Sequence, residues 1–560
     1  MPVPRLRQRH PRMNVLLTHH GRLAVLPVFA SLVFAATPQE PANPPTKPSP
    51  AASGRSRRAE WKPTLTLPKD LWQDVTEKTI GVTAEWTNKV EIADIDGDGR
   101  PDILFANGGN YDSPAPPVGS RVFCNRGKEP LFVEATTQVF GDALFLARVI
   151  KVRDVDGDGH ADIFVGTTFG TQSRLFVGTG NGAFRDATPT NLPALLLSVG
   201  DAEFGDVDGD GDLDLVLAEW GQGSPMKNEG GRTRLWRNAG GVFTDATEQC
   251  LPDVLVRFSW ELELVDVDND FDLDLLVSSK RSPGSFLFLN DGSGKFTDVS
   301  KERLPQFTNN YEFEPMDVDG DGVLDLVTIN DGVGERRFTE HLFRGDGKGG
   351  FEDATQRLWP DADNPRFDDN MIAFLDYDSD GDADFLIGSL DGPDRLLVND
   401  GHGKFAAGAP VFDGDPTNGT LGIALADLDG DKRIDVVHAQ GEVEKALADK
   451  VFFGKSIAPD TRAPWIGALD VKQKAPGAPV VVRVRVHDRK SPCMPHDWQS
   501  VVLRCSLGDA AKDVPLVWYG EYLWRAPVPF EKAGRVSLVV VATDAAGNTA
   551  TSPAAAFDVK

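Results

Sequence analysis

Cysteine, tyrosine, methionine and histidine are all scarce in this chain, with 4, 5, 6 and 9 copies among 560 residues. None of Cys124, Cys250, Cys493 and Cys505 falls in a Cys-x-x-Cys or Cys/His spacing, which excludes an ordinary zinc module. Cys493 and Cys505 are near enough in sequence to staple a small domain in an oxidising compartment, whereas Cys124 and Cys250 are compatible with either state. Basic charge is also short: 58 Lys and Arg face 85 Asp and Glu, a formal charge of -27. That balance argues against nucleic acid and anionic membrane surfaces as partners. No apolar stretch after residue 36 is long enough to cross a bilayer, so no transmembrane segment is expected once a leader is removed. The chain has no Gly-x-Ser-x-Gly elbow, His-Glu-x-x-His helix, phosphate-binding loop or dinucleotide fingerprint, and no catalytic residue is assigned.

What is abundant is aspartate at fixed spacing. The stretch Asp94-Ile-Asp-Gly-Asp-Gly-Arg-Pro-Asp102 recurs seven times, with starts 51 to 60 residues apart. Acids at loop positions 1, 3, 5 and 9 are Asp94, Asp96, Asp98 and Asp102, then Asp154, Asp156, Asp158 and Asp162. The third and fourth loops carry Asp206, Asp208, Asp210 and Asp214, and Asp266, Asp268, Asp270 and Asp274. The last three carry Asp317, Asp319, Asp321 and Asp325, then Asp376, Asp378, Asp380 and Asp384, then Asp427, Asp429, Asp431 and Asp435. A fixed period of this size is the mark of a repeat architecture.

Each repeat follows one recipe. A short apolar strand enters the loop, as in Glu261-Leu-Glu-Leu-Val265, and a second leaves it, as in Ile163-Phe-Val165. A third follows, such as Arg234-Leu-Trp-Arg-Asn238, and after a Gly-rich turn comes a fourth of the type Phe184-Arg-Asp-Ala-Thr188. Four antiparallel strands per repeat predict the blade of a β-propeller. The seventh repeat stops after Val451-Phe-Phe-Gly454 without its fourth strand, and an unaccompanied copy, Trp72-Gln-Asp-Val-Thr76, precedes the first loop. The expected fold class is therefore all-β: a seven-bladed propeller closed by an N-terminal strand, which leaves no open edge. Alternating runs at 480–486, 501–505 and 536–542 predict a small β-sandwich behind it.

The domain reading is a signal peptide over 1–36, a Pro/Ala/Ser-rich linker over 37–66, the propeller over 67–456 and the sandwich over 457–560. Basic residues ahead of the apolar run 23–36, which ends in Ala35 and Ala36, point to export, and so to a secreted, cell-surface or periplasmic protein.

Carboxylates at positions 1, 3, 5 and 9 of a tight loop can converge on one point, and hard oxygen donors without His or Cys select calcium. Up to seven Ca²⁺ ions are expected. Phe271 and Lys432 stand at position 6, where a Gly ordinarily supplies the turn, so those two loops are expected to bend differently or bind more weakly. These loops, with the Leu-Phe-x-Asn and Phe-x-Asp-Ala-Thr strands, resemble the FG-GAP/VCBS repeats of integrin alpha propellers and of many secreted bacterial proteins. The resemblance implies metal ligation at the aspartates named above. The trailing sandwich resembles immunoglobulin-like or fibronectin-like modules.

Strand alternation puts the acidic loops and Gly-rich turns on one face and the variable connections on the other. A protein or glycan partner is expected on that second face, at Tyr111, Trp220, Trp260, Tyr311, Arg336, Arg337 and Arg366. The leading reading is a non-catalytic binding or adhesion module. Its rivals are a polysaccharide lyase-like propeller enzyme and a structural envelope component. His496-Asp497-Trp498 is read as a structural corner.

Overall fold

The computed structural model describes residues 61–560 apart from 282, 331–338, 414–418, 443–445 and 508–509. The expected signal segment, most of the expected linker, and Arg336 and Arg337 lie outside the described residues. The described chain is all-β and propeller-like, built of four-stranded antiparallel sheets, of which seven are formed.

The first strands are Thr87–Ala93, Ala147–Arg153, Val199–Gly205, Leu262–Val265, Asn310–Met316, Asp369–Leu375 and Thr420–Ala426. Each turns through an acidic loop into an antiparallel partner that begins on the position-9 aspartate, as Ala93 pairs with Asp102. Each first strand lies against the first strand of the next sheet, and Thr420–Ala426 lies against Thr87–Ala93. These strands are almost wholly buried, which accounts for their near-continuous apolar sequences.

The seventh sheet is made of Thr420–Ala426, Asp435–Gln440, Lys450–Gly454 and the N-terminal strand Trp72–Asp74. Its last pairing sets Trp72 against Gly454 and Asp74 against Phe452. Ordered packing begins before Leu67, since the Leu65 N–H donates to the Ala407 carbonyl at 3.0 Å.

The fourth strands are shorter than their motif. Phe184–Asp186 ends at the aspartate, and Thr188 opens a helical turn, Thr188–Asn191. The cause is local: Asp186 Oδ1 accepts the Thr188 N–H at 3.0 Å, and Thr188 Oγ1 accepts the Leu175 N–H at 2.9 Å. The side chains thus replace the ladder after three residues of pairing. The same arrangement recurs at Asp245/Thr247, Asp298/Ser300 and Asp353/Thr355.

Two five-stranded antiparallel sheets follow, running from Trp465–Ile466 to Ala555–Val559. Val480, Val482 and Val484 of one sheet pack against Leu503, Leu538 and Val540 of the other in a shared core. All four cysteines are free, so the expected Cys493–Cys505 staple is not made. Cys493 is buried against the core that holds Tyr522 and Phe374, while Cys505 lies inside the sandwich.

Candidate functional site

The acidic loops share one internal geometry. Asp94 accepts the N–H groups of Gly97, Asp98 and Gly99 at 2.8 to 3.1 Å, so position 1 organises the turn from within. Asp98 Oδ1 accepts the Arg100 N–H. Asp102, wholly buried, accepts the Ile95 N–H on one oxygen and the Asn125 N–H on the other, tying the loop to the third strand. Position 9 therefore works as a fastener in addition to facing the other acids.

The substitutions at position 6 do not alter the bend. Phe271 and Lys432 adopt φ of 69° and 70°, beside 81° for Gly99. The Lys432 N–H donates to Asp427 Oδ2 at 2.8 Å as the Gly99 N–H does to Asp94. A left-handed non-glycine residue costs about 1 to 2 kcal/mol, and further bonds hold both in place. The Phe271 carbonyl accepts Arg483 Nη1 and the Tyr519 hydroxyl, each at 2.8 Å, and Lys432 Nζ donates to the Ala546 carbonyl.

Carboxylate oxygens of Asp94, Asp96 and Asp98 lie within 4.8 Å of one another, as do those of Asp154, Asp156 and Asp162. Burial pushes Asp102, Asp162, Asp214 and Asp325 up to about 7. Buried Oδ1 atoms of Asp96, Asp268 and Asp319, all at position 3, have no hydrogen-bond partner. Crowded hard oxygens with unmet lone pairs fit a divalent cation.

The loops nevertheless differ in the cations the chain supplies itself. Arg237 pairs with Asp208 and, at 3.0 Å, with Asp214, and Arg525 reaches Asp206. Arg344 contacts Asp319, Asp321 at 2.9 Å and Asp325 at 2.8 Å. The third and fifth loops thus hold guanidinium groups among their acids. The acids of the second and sixth loops make no ion pair among the described residues, and in the seventh only Asp431 does, with Arg433.

Neighbouring sheets are clasped on this face by the asparagine that ends the third strand. Asn125, Asn238, Asn290 and Asn399 donate through Nδ2 to the position-2 carbonyls of Leu428, Val155, Val207 and Val318, all at 2.7 to 2.8 Å. Asn125 joins the first sheet to the seventh. The recurring Asn was visible in sequence, but its partner, some 80 or 300 residues away, was not.

The sandwich contacts the same face. Arg485 donates to Asp266 and its carbonyl, Arg483 to Asp272 and the Asp270 carbonyl, and Arg489 to the Gly381 carbonyl. Its turn at 490–496 enters the space between the first strands, where Ser491 exchanges two hydrogen bonds with Phe374. His496 sits in the short helical turn Pro495–Asp497 and lines the cavity beneath it.

On the opposite face the aromatic expectation is corrected. Trp220, Trp260 and Tyr311 are 1 to 2% exposed and cannot stack on a partner. With Tyr111 and Phe258 they form an interlocked cluster, the Trp260 and Tyr311 rings 4.9 Å apart, with Arg148 over Trp260 at 4.1 Å and Lys280 over Tyr311 at 3.7 Å. Large side chains from four repeats can bury fully only against one another. Arg366 stays exposed and Tyr111 is half-buried.

Exposed apolar side chains mark this face instead. Val82, Val118, Leu144, Leu196, Met226 and Leu255 are 39 to 68% exposed, and all sit in connections remote from the acidic loops. Several of these connections are stiffened by short bridges: Ala84–Glu85 with Leu447–Ala448, Val118 with Phe145, Thr171–Gln172 with Leu196–Leu197, and Gly231 with Val256.

Repeated four-stranded sheets with acidic loops on one face define a propeller-like repeat protein. Residues 154–217, 266–328 and 376–438 match the FG-GAP-like repeat, so the chain carries three such repeats, together spanning six of the seven acidic loops. No curated protein matches the chain. Among solved structures it is similar to BBS1N in complex with ARL6DN, with TM-score 0.41 and 11% identity over 69% of this chain and 98% of that one. It is also similar to the V. cholerae biofilm matrix protein Bap1, with TM-score 0.30 and 12% identity over 85% and 73%. A third is the Plexin A4 extracellular region, with TM-score 0.35 and 11% identity over 88% of this chain and 62% of that one. No helix among the described residues is long and apolar enough to cross a membrane.

Proposed function

We propose that this is an exported, calcium-stabilised propeller of seven blades, closed by its N-terminal strand, that serves as a non-catalytic docking module for a protein partner. Closure is supported by the Trp72–Asp74 pairing and by the Asn125 clasp to Leu428. Calcium is supported by the partnerless position-3 oxygens of the first, fourth and fifth loops, and the second and sixth loops, whose acids make no ion pair among the described residues, hold no competing cation. In this reading the sandwich, of immunoglobulin-like or fibronectin-like kind, covers part of the acidic face and leaves the other face for recognition.

The observation that carries the docking reading is the set of six exposed apolar side chains on that open face. Rigid, bridged connections that present apolar side chains suit a protein surface, since they lose little conformational freedom on binding. The burial of Trp220, Trp260 and Tyr311 removes the stacking platforms a glycan would use. The test combines Leu144→Asp, Leu196→Asp and Leu255→Asp. Capture of extracellular proteins should be lost in this variant and kept in Val517→Asp, which alters only the sandwich. A glycan-array signal unchanged by the triple variant would overturn the reading.

A further inference from the structure

The first strands of all seven sheets surround a cavity of ≈ 60 Å³, capped by Lys490, Pro492, Met494 and His496 of the sandwich turn. Water needs roughly 10 to 15 Å³ of such volume, so the chamber has room for about four water-sized bodies and none for a sugar.

Its walls are charged, and the charges do not balance. Lys89 pairs with Glu261 at 2.8 Å, Lys151 with Glu203, and Arg153 with Glu91 at 2.7 Å. Lys490 is engaged by Asp497 at 2.9 Å. Arg148, outside the lining and stacked over Trp260, donates to Asn88 Oδ1 at 3.2 Å. Every lysine that lines the chamber is thereby paired with a carboxylate, yet Glu263 and Glu314 also line it. Glu263 makes no hydrogen bond or ion pair among the described residues. Glu261, only 6% exposed, leaves Oε2 without a partner, and wholly buried Glu312 leaves Oε1 without one. An unpaired buried carboxylate is costly, and at this void Glu263 and the Oε2 of Glu261 share the deficit.

We infer that the chamber holds one divalent cation, carried by Glu263 and Glu314, with water completing its shell. Carboxylate oxygens favour a hard ion of the calcium, magnesium or manganese kind. One such ion neutralises two carboxylates at once, whereas each proton neutralises one. Burial, reinforced by Glu314, Glu203, Glu261 and Glu521, already holds Glu263 far above the ordinary carboxylate range. The inference is independent of the surface loops, which are open to solvent.

A chamber walled by seven first strands and capped by the sandwich turn should exchange its ion more slowly than those loops. Full-length protein loaded with Ca²⁺, Mg²⁺ or Mn²⁺ and passed briefly over a chelating resin should keep one equivalent by elemental analysis. Glu263→Gln with Glu314→Gln should lose it, and Asp94→Asn should keep it. Should the double variant not fold, Glu263→Gln alone should release the ion at least tenfold faster. Wild type that keeps no metal would mean the chamber is neutralised by protons. That result, or retention and release unchanged in the Glu variants, would overturn the inference.

Discussion

At the scale of single residues, Asn238 carries a clasp whose strength can be measured. Its Nδ2 serves the Val155 carbonyl of the preceding repeat at 2.7 Å and the Leu213 carbonyl of its own at 3.0 Å. Asn238→Ala leaves both acceptors short of a donor and should cost about 1 to 3 kcal/mol in denaturant unfolding. Asp449 makes a second clasp, accepting the Thr87 hydroxyl across the junction of the seventh and first sheets at 2.9 Å and the Gln440 N–H at 2.9 Å. Burial outweighs these bonds and raises its pKa from 3.8 to about 7. A carboxyl with a raised folded pKa favours folding below its unfolded value and loses that contribution as pH rises through the folded one. Stability should therefore fall between about pH 4 and about pH 7, and Asp449→Asn should flatten that slope in denaturation midpoints. Neither residue announced this in sequence. Asn238 reads as the end of a strand and Asp449 as one acid among 85, because their partners are set by tertiary contact.

At the scale of elements, the acidic loop and its strands were legible because their signals are local. The loop fixes its own turn through Asp94, and the hairpin register follows from Asp102. The short fourth strands were misjudged at their ends, since Asp186 and Thr188 terminate the ladder that Phe184 begins. The chamber was not legible, although Glu261 and Glu263 alternate visibly in one strand. Only the packing of first strand on first strand brings them near Lys89 and Glu314. The strand Trp72–Asp74 is the element whose loss should matter most for its size. Trp72 is wholly buried, donates Nε1–H to the Ile434 carbonyl at 2.8 Å and packs on Phe412 at 5.3 Å. Trp72→Ala should cost about 3 to 5 kcal/mol, and the seventh sheet should lose amide protection before the third.

At the scale of the whole molecule, the uneven supply of arginine predicts an uneven response to metal. Calcium should raise the thermal midpoint and a chelator lower it, by linkage to sites present only in the folded state. Asp154→Asn, in a loop without internal cations, should remove more of that calcium-dependent gain than Asp319→Asn, whose loop holds Arg344. Equal losses would show that the guanidinium groups yield to the ion. The acidic face also bears the sandwich through Arg485 on Asp266 and Arg525 on Asp206, so the calcium binding proposed above would draw on carboxylates that domain docking also uses.

The pairing of Trp72 with Gly454 sets an order of events. The first-made strand of the seventh sheet must wait, unpaired, while some 380 further residues are synthesised. Six sheets can close from contacts within their own repeats, whereas the seventh joins sequence-distant ends and is by contact separation the slowest to form. A chain interrupted before residue 450 would therefore hold folded sheets beside a bare edge, exposed to pairing with other chains. The span between Trp72 and Gly454 makes synthesis through residue 454 the checkpoint for the seventh sheet.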